Sequence, residues 1–316
     1  MSKPKKLEND ISIIDLFDLE WEQRTGCYIL HAEELTLIET SASPSIPHLL
    51  KGLENENIVP SEIKYIIVTH IHLDHAGGVG LLLKSCPNAS VIVHPRGERH
   101  LADPTKLILG AKAVYGEKFD ALFDPIVAVP KERLISKKDG ETLKIGANRT
   151  LTFYDTPGHA KHHFSIHDSH SNGMFTGDTL GILYPISITE GEECVLPSTS
   201  PNQFDPEAML ASLRKIEQLE VATIYFGHYG KSDNPNAVYQ QLRYWLPKYV
   251  QVAEEVWEET LNYSFEERVS RITTKLLTLI EAEIGIEPND QVYKYIAFDV
   301  EICAMGIADY LVKTKS

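Results

Sequence analysis

Short apolar segments alternate with polar breaks over residues 11 to 40, where the runs ISIIDLFDL, CYILHA and LTLIET stand out. This pattern predicts the opening strands of a sheet. A short helix is predicted over residues 45 to 57, and the β-branched run from Ile63 to Val68 predicts a buried strand. SVIVHP and ATIYF predict further strands, and HFSIHD and GMFTGD predict a hairpin. The chain is therefore predicted to be an α/β protein.

The last third of the chain changes character. Residues 235–316 lack strand signals and predict three helices, the first of which Pro247 is expected to kink or divide. Ser264 begins a capping box at the start of the second helix, and Gly285 is expected to end it. In the third helix one apolar stripe recurs at spacings of three and four, formed by Ile296, Val300, Cys303, Ile307 and Leu311.

These signals predict two domains. Residues 1–234 form a predicted α/β domain, and residues 235–316 form a helical extension. Three roles are open for the extension: it packs on the core, it shapes the wall of a cleft, or it forms a homodimer interface.

A stretch of 24 residues, 181 to 204, is predicted to be a loop. Loops of this length in a compact domain are usually functional, so this one is expected to border the cleft of a functional site. Its candidate lining residues are Ile182, Leu183, Tyr184 and Ile186. The helix that follows has Asp205 as its predicted N-cap, with Pro206 in the first turn.

Composition narrows the class of partner. The chain has 316 residues, 43% of them hydrophobic, and a formal net charge of −15. Such a surface repels polyanions at long range, so neither nucleic acid nor an anionic membrane is an expected partner. The four cysteines are scattered without a Cys-x-x-Cys pair, which indicates reduced thiols. No signal peptide or apolar run of membrane-spanning length is seen, so a cytoplasmic location is expected.

The highest concentration of candidate metal-binding residues lies between Thr69 and Gly78, in the sequence THIHLDHAGG. His70, His72, Asp74 and His75 crowd into six residues directly after a predicted strand. Imidazole nitrogens and carboxylate oxygens are the ligands expected of zinc and similar metals. His70 and His72 can project the same way from extended backbone. Asp74 and His75 follow in the turn and can face a second, adjacent point. One short loop can thus serve two ions.

Three downstream motifs complete a known pattern. DTPGHA contains His159, FTGDTLG contains Asp178 and YFGHYG contains His228, at successive intervals of 84, 19 and 50 residues from His75. Together with His-x-His-x-Asp-His, these motifs resemble the signature of the metallo-β-lactamase superfamily, over approximately residues 10 to 230. The resemblance implies a four-layer αββα sandwich, here with a C-terminal helical extension.

The resemblance also implies a dinuclear metal centre of seven ligands. His70, His72 and His159 would hold one metal, Asp74, His75 and His228 the other, and Asp178 would bridge the two. Zinc is expected, with iron and manganese as alternatives. Such a pair of ions forms hydroxide from a shared water near neutral pH. Asp74 is the predicted catalytic residue, which orients the hydroxide or passes a proton to the leaving group.

The function implied is hydrolysis of a small thioester, ester or lactone. Glyoxalase II itself is disfavoured because no basic cluster late in the chain could hold glutathione's carboxylates. The tyrosine typical of homoserine-lactone lactonases is replaced by Gly181. Phosphodiester hydrolysis is an alternative that the negative charge disfavours. Iron-dependent redox or dioxygenase chemistry is another, although flavodiiron members carry a glutamate at the position of His72.

The roles of several other residues are predicted less directly than those of the seven candidate ligands. Tyr184 and Tyr229 are the candidate substrate contacts. The resemblance implies that Glu39 and Thr40, in the LIET segment, support the ligands, and a plain role at the edge of the sheet is equally open. The aromatic side chains of residues 101–130 either form a lid or cover the sheet; they are Tyr115, Phe119 and Phe123. Four further histidines are expected to face solvent or to support the ligands, namely His162, His163, His167 and His170.

Overall fold

The computed structural model describes residues 3–187, 193–260 and 262–315. The chain forms two compact units that interleave along the sequence. The first unit contains Met1–Asp155, His162–Gly177 and Val221–Lys231, and the second contains Thr156–Lys161, Asp178–Glu220 and Ser232–Ser316. The division of the chain at residue 234 into a catalytic domain and an extension stays a prediction.

The first unit contains a seven-stranded sheet whose strands lie side by side in chain order, β1 to β7. Pairing is antiparallel from β1 to β4 and parallel from β4 to β7. The strands are β1 (Lys5–Lys6), β2 (Ile11–Asp15), β3 (Gly26–Leu30), β4 (Thr36–Ile38), β5 (Tyr65–Ile67), β6 (Ser90–Val93) and β7 (Leu134–Ser136).

A six-stranded sheet completes the framework of this unit, in the order β15-β14-β11-β10-β9-β8. The predicted hairpin of HFSIHD and GMFTGD is confirmed as β10 and β11, which pair antiparallel. The strands are β8 (Thr142–Gly146), β9 (Arg149–Asp155), β10 (Phe164–Asp168), β11 (Gly173–Gly177), β14 (Thr223–Phe226) and β15 (Lys231–Ser232).

Two hydrophobic clusters give the first unit its layers. One contains buried side chains from both sheets, such as Tyr28 from the first sheet and Phe153 and Phe164 from the second. The other packs the opposite face of the first sheet against helices, with Leu49 and Leu53 of α1 among its members. The helices are α1 (Ile46–Asn55), α2 (Leu73–Ala76), α3 (Val79–Leu82), α4 (Pro95–Ala102), α5 (Thr105–Tyr115) and α6 (Phe119–Phe123), with 3-10 turns at Asp18–Glu20, Ser43–Ser45, Pro60–Glu62, Gly116–Lys118 and Lys131–Arg133.

The second unit is mainly helical. It contains α7 (Pro206–Glu217), α8 (Pro235–Glu259), α9 (Phe265–Ile284) and α10 (Tyr293–Lys315), and α10 packs against α8 and α9. The predicted apolar stripe of α10 is confirmed, because all five of its residues are buried. Pro247 lies inside α8 and does not divide it.

The predicted caps are confirmed. Asp205 Oδ1 accepts a hydrogen bond from the backbone N–H of Ala208, which begins α7. Ser264 and Glu267 form the capping box of α9, and Gly285 ends that helix at φ +73°.

The prediction of a loop over residues 181–204 is wrong for its first part. A hairpin occupies this stretch, with strand β12 (Ile182–Ser187) antiparallel to β13 (Glu193–Leu196). Pro185 hides the strand signal, because proline cannot donate to a ladder and is rare inside strands. The register shifts between Tyr184 and Ser187, where this proline lies. Residues 188–192 of the predicted loop lie outside the described residues.

Over the described ranges, no helix combines the length and the apolar character that a membrane crossing needs.

Candidate metal centre

The first candidate ligands follow strand β5 in the first unit. His70 is fully buried, and His72 occupies the N-cap position of α2. His70 Nε2 lies 3.1 Å from His72 Nδ1, so the two imidazoles meet on one side of the backbone as their spacing predicted. The hydroxyl of Thr69 lies 3.1 Å from His70 Nδ1.

A second group of ligand atoms in the same unit joins Asp74, His75 and His228. Their ligand atoms all lie within 4.8 Å of one another. Asp74 and His75 lie on α2, while His228 follows β14, 153 residues after His75 in the sequence. Two distant segments therefore supply one cluster of nitrogen and oxygen donors.

The spacing of this cluster suits a cation. Asp74 Oδ2 lies 3.6 Å from His75 Nε2 and 3.7 Å from His228 Nε2, which is too far for direct hydrogen bonds. Two ligands at about 2.1 Å from one tetrahedral ion lie roughly 3.4 Å apart, close to these separations. The donor set and its geometry therefore fit a divalent metal, although ligation itself stays a prediction.

Glu39 orients the cluster. Its Oε1 accepts a hydrogen bond from the backbone N–H of Thr69 at 2.9 Å, and its Oε2 lies 3.2 Å from His75 Nδ1. A carboxylate at Nδ1 keeps the proton there and directs the Nε2 lone pair of His75 toward Asp74, where a metal would bind. The backbone of Glu39 has φ +69°, a strained conformation of the kind that clusters at functional sites. Of the two roles left open for Glu39, the structure supports that of a residue that supports the ligands.

Glu39→Gln is expected to weaken metal binding about 10- to 100-fold, the usual cost of losing such a partner. If the glutamine oxygen keeps the bond to Thr69, its NH₂ group faces Nδ1 and favours the His75 tautomer that cannot bind metal through Nε2. Competition with a chromogenic chelator measures the affinity. Unchanged affinity in a folded variant would contradict this role for Glu39.

A buried ion pair near this cluster was not predicted. Arg24 Nε donates to Asp18 Oδ2 at 3.2 Å, and both side chains are buried. Burial raises the pKa of Asp18 and Arg24 opposes the rise, with smaller contributions from Asp74, His228 and His75. Nothing in the sequence DLEWEQR distinguishes this segment from an ordinary polar loop between strands.

The four additional histidines divide into a buried pair and a more exposed pair. His162 and His163 are buried, and their rings lie 6.2 and 5.0 Å from that of His70. His167 and His170 are more exposed; the first contacts Asn172, at 3.0 Å.

In the second unit, His159 and Asp178 lie together. His159 Nε2 is 3.6 Å from Asp178 Oδ2, again beyond hydrogen-bond range. His159 follows Gly158, whose φ of +133° and close approach to Met209 admit only glycine. Ser198 contacts both candidate ligands: its Oγ donates to Asp178 Oδ2 at 2.8 Å, and its carbonyl oxygen accepts from His159 Nδ1 at 3.0 Å. No signal in the sequence predicted this role of Ser198.

The two candidate substrate contacts lie in different surroundings. Tyr184 is buried, and its hydroxyl donates to Asp299 Oδ2 at 2.7 Å. This bond engages the polar group through which Tyr184 would contact a substrate. Tyr229 is half-buried against the core of the first unit, and burial raises the pKa of its hydroxyl to about 12. Both assignments stay predictions, and the bond to Asp299 weakens the one for Tyr184.

The aromatic residues of the 101–130 stretch form a cluster of their own. Phe119 and Phe123 are buried together with Ala42 and Leu73, and Tyr115 packs against them. Leu73 is the first residue of α2 and precedes Asp74. The cluster therefore lies beside the helix that carries the candidate ligands Asp74 and His75, and its role as a lid stays a prediction.

Comparisons with known proteins agree with this picture. A sequence model described as "Metallo-beta-lactamase superfamily" matches residues 23–228. The metallo-beta-lactamase fold-containing protein ST1585 of Sulfurisphaera tokodaii is 26% identical over 73% of this chain and 82% of its own. Its crystal structure superposes with a TM-score of 0.66, at 21% identity, over 94% of this chain and 97% of that chain.

The names of two further relatives record chemistries that differ from each other. N-acyl homoserine lactonase AttM of Rhizobium radiobacter is 27% identical over 54% of this chain and 59% of its own. The putative diflavin flavoprotein A 1 of Nostoc is 24% identical over 67% of this chain, which spans only 35% of that protein.

The family match spans well over half of the chain, and the solved structure shares its fold. The predicted fold class, an α/β metallo-β-lactamase sandwich with C-terminal helices, is confirmed. The chain belongs to the metallo-beta-lactamase superfamily of metal-dependent hydrolases.

Proposed function

We propose that this chain hydrolyses a small thioester, ester or lactone with a dinuclear metal centre formed by the seven candidate ligands. The observation that carries the proposal is the convergence of Asp74, His75 and His228 in the first unit, oriented by Glu39. His159 and Asp178 supply a second pair of donors. We further propose that these groups act together with His70 and His72 in a single centre, as the family signature implies.

When bound by these residues, a pair of divalent cations would lower the pKa of a shared water and so supply hydroxide near neutral pH. Asp74 is suited to the substrate side of such a centre. Its side chain is 25% exposed, whereas that of the neighbouring His75 is 1% exposed. An accessible carboxylate can orient the nucleophile or pass a proton to the leaving group.

Two observations support a small uncharged or weakly charged substrate. The name of AttM records lactone chemistry on a related chain. The net charge of −15 disfavours polyanionic substrates at long range. The chain also lacks a Gly-x-Ser-x-Gly elbow, so nothing in its sequence indicates a serine nucleophile of that type.

Chelation is expected to abolish hydrolysis, and stoichiometric Zn²⁺ or Mn²⁺ is expected to restore it, because the nucleophile depends on the metals. Elemental analysis of the purified protein together with a panel of lactone, thioester and bis-nitrophenyl phosphate substrates is the measurement. Two metals per chain with ester or lactone turnover support the proposal. Full hydrolytic activity in metal-free protein would contradict it.

Iron-dependent redox chemistry is the second candidate, because the diflavin flavoprotein of Nostoc is a relative. His72 weighs against a flavodiiron centre, whose members carry a glutamate there. Iron with oxygen consumption, and no hydrolysis by the zinc form, would favour this candidate over the first.

A further inference from the structure

We propose that Ser198 is a positioning residue that sets the geometry of the ligands His159 and Asp178, and that helix α10 holds Ser198 in place. This inference rests on the proposed function, because it assigns a role toward the metals. All of the residues concerned lie in the second unit.

Ser198 uses two different groups on two different ligands. Its hydroxyl donates to Asp178 Oδ2 at 2.8 Å, which leaves that carboxylate a fixed orientation. Its backbone carbonyl can only accept, so His159 Nδ1 must carry the proton of the 3.0 Å hydrogen bond. With the proton held on Nδ1, Nε2 is the nitrogen of His159 that faces Asp178 and that a metal would bind. Ser198 itself is 5% exposed, so it has little freedom to move.

Helix α10 forms hydrogen bonds with the residues on both sides of Ser198. Thr199 donates from its backbone N–H to Cys303 Sγ at 3.3 Å and from its hydroxyl to the Cys303 carbonyl at 3.0 Å. Cys303 Sγ in turn donates to the carbonyl of Pro197 at 3.4 Å. One residue of α10 thus contacts the residues on both sides of Ser198.

Gly306 of α10 lets this segment approach the helix axis. A Cβ at position 306 would lie 1.7 Å from the carbonyl oxygen of Thr199. The contact can exist only while the position is glycine. Through these contacts α10 bears directly on the segment that carries Ser198, a role that the sequence analysis did not include among those left open for the C-terminal helices.

The chain offers a matched control for Ser198. Ser171 is 7% exposed, and its hydroxyl donates to Asp168 Oδ2 at 2.7 Å. Asp168 is a buried carboxylate too, but its partner is Arg149 and it is not a candidate ligand. Ser198→Ala and Ser171→Ala therefore remove the same hydroxyl from similar bonds, and only the first bond involves a candidate metal ligand.

The experiment measures Zn²⁺ affinity of the full chain by chelator competition, with the visible spectrum of the Co²⁺ form and the melting temperature as further readouts. Ser198→Ala is expected to weaken Zn²⁺ binding about 10- to 100-fold and to alter the Co²⁺ spectrum. Ser171→Ala is expected to lower the melting temperature without changing either metal readout. Ser198→Thr, which keeps the hydroxyl, is expected to recover most of the affinity. Cys303→Ala removes the two hydrogen bonds of the Cys303 thiol but keeps Ser198, and it is also expected to weaken Zn²⁺ binding.

The outcomes separate the two proposals. Wild-type protein that binds zinc, with Ser198→Ala equal to wild type, overturns the role of Ser198 and leaves the proposed function intact. Equal loss of affinity in Ser171→Ala and Ser198→Ala also overturns it, because the effect would then be general destabilisation. Wild-type affinity in Cys303→Ala overturns the part assigned to α10. Wild-type protein that binds no metal overturns both the inference and the proposed function.

Discussion

Asp178→Asn is expected to reduce kcat/KM for any hydrolysed substrate by at least about 10³-fold, because it removes a charge that the metals require. Asp178 is the predicted bridging ligand, so its loss affects both ions rather than one. The carboxylate already accepts the hydroxyl of Ser198 and lies 3.6 Å from His159 Nε2. An asparagine can keep the bond to Ser198 through its oxygen, but it then presents a neutral NH₂ group where an anionic oxygen stood.

Asp205→Asn is the control for this substitution. It makes the same chemical change at the N-cap of α7, where asparagine caps as well as aspartate does. We expect wild-type kcat/KM and wild-type metal content from it. Steady-state kinetics on the substrate identified by the panel, with metal analysis of each variant, is the measurement. Wild-type turnover in metal-replete Asp178→Asn would show that Asp178 is not a ligand on which the reaction depends.

Local sequence signals predicted much of the fold. The caps of α7 and α9 require only a few neighbouring residues, and Asp205, Ser264 and Gly285 were identified from those residues alone. The apolar stripe of α10 repeats over five positions, which is enough for its period to indicate the buried face. Strand β5 and the turn after it were predicted for a similar reason, since a β-branched run ends at a cluster of polar side chains.

Contacts that join distant segments could not be predicted from the sequence. Ser198 stands between two prolines in the sequence PSTSP, and nothing local shows that it contacts His159 and Asp178. Its position follows from hairpin β12–β13, which the sequence analysis did not predict because Pro185 interrupts the strand signal. The buried ion pair of Asp18 and Arg24, only six residues apart, was not predicted for a different reason: the burial of a charged loop depends on the tertiary fold.

Glu39 is an intermediate case. The family resemblance implied a ligand-supporting role for its position, yet a role at the edge of the sheet was equally open. The decision needed the two hydrogen bonds to Thr69 and His75, whose formation depends on the pairing of β4 with β5. Supporting residues are therefore harder to predict than ligands, because no fixed spacing in the sequence marks them.

Gly306→Ala is expected to lower the free energy of unfolding by about 3 kcal/mol, at the upper end of the usual cost of overpacking. The atoms that a Cβ would meet are backbone atoms of Thr199 and Ser200, at 1.7 and 2.6 Å, and backbone cannot rotate away as a flexible side chain can. Alanine favours helix more than glycine does, by up to about 1 kcal/mol, so helix propensity alone would predict stabilisation. The sign of the change therefore separates the close contact from propensity.

Gly110→Ala supplies the matched comparison. Gly110 lies inside α5, and no atom lies within 4 Å of the place where its Cβ would be. Propensity acts alone at this position, so we expect stabilisation of up to about 1 kcal/mol. Denaturant unfolding of both variants measures the two signs, and Zn²⁺ affinity should fall only in Gly306→Ala, because only that change displaces the segment that carries Ser198. If Gly306→Ala were as stable as Gly110→Ala, the close packing of α10 on residues 199 and 200 would be refuted.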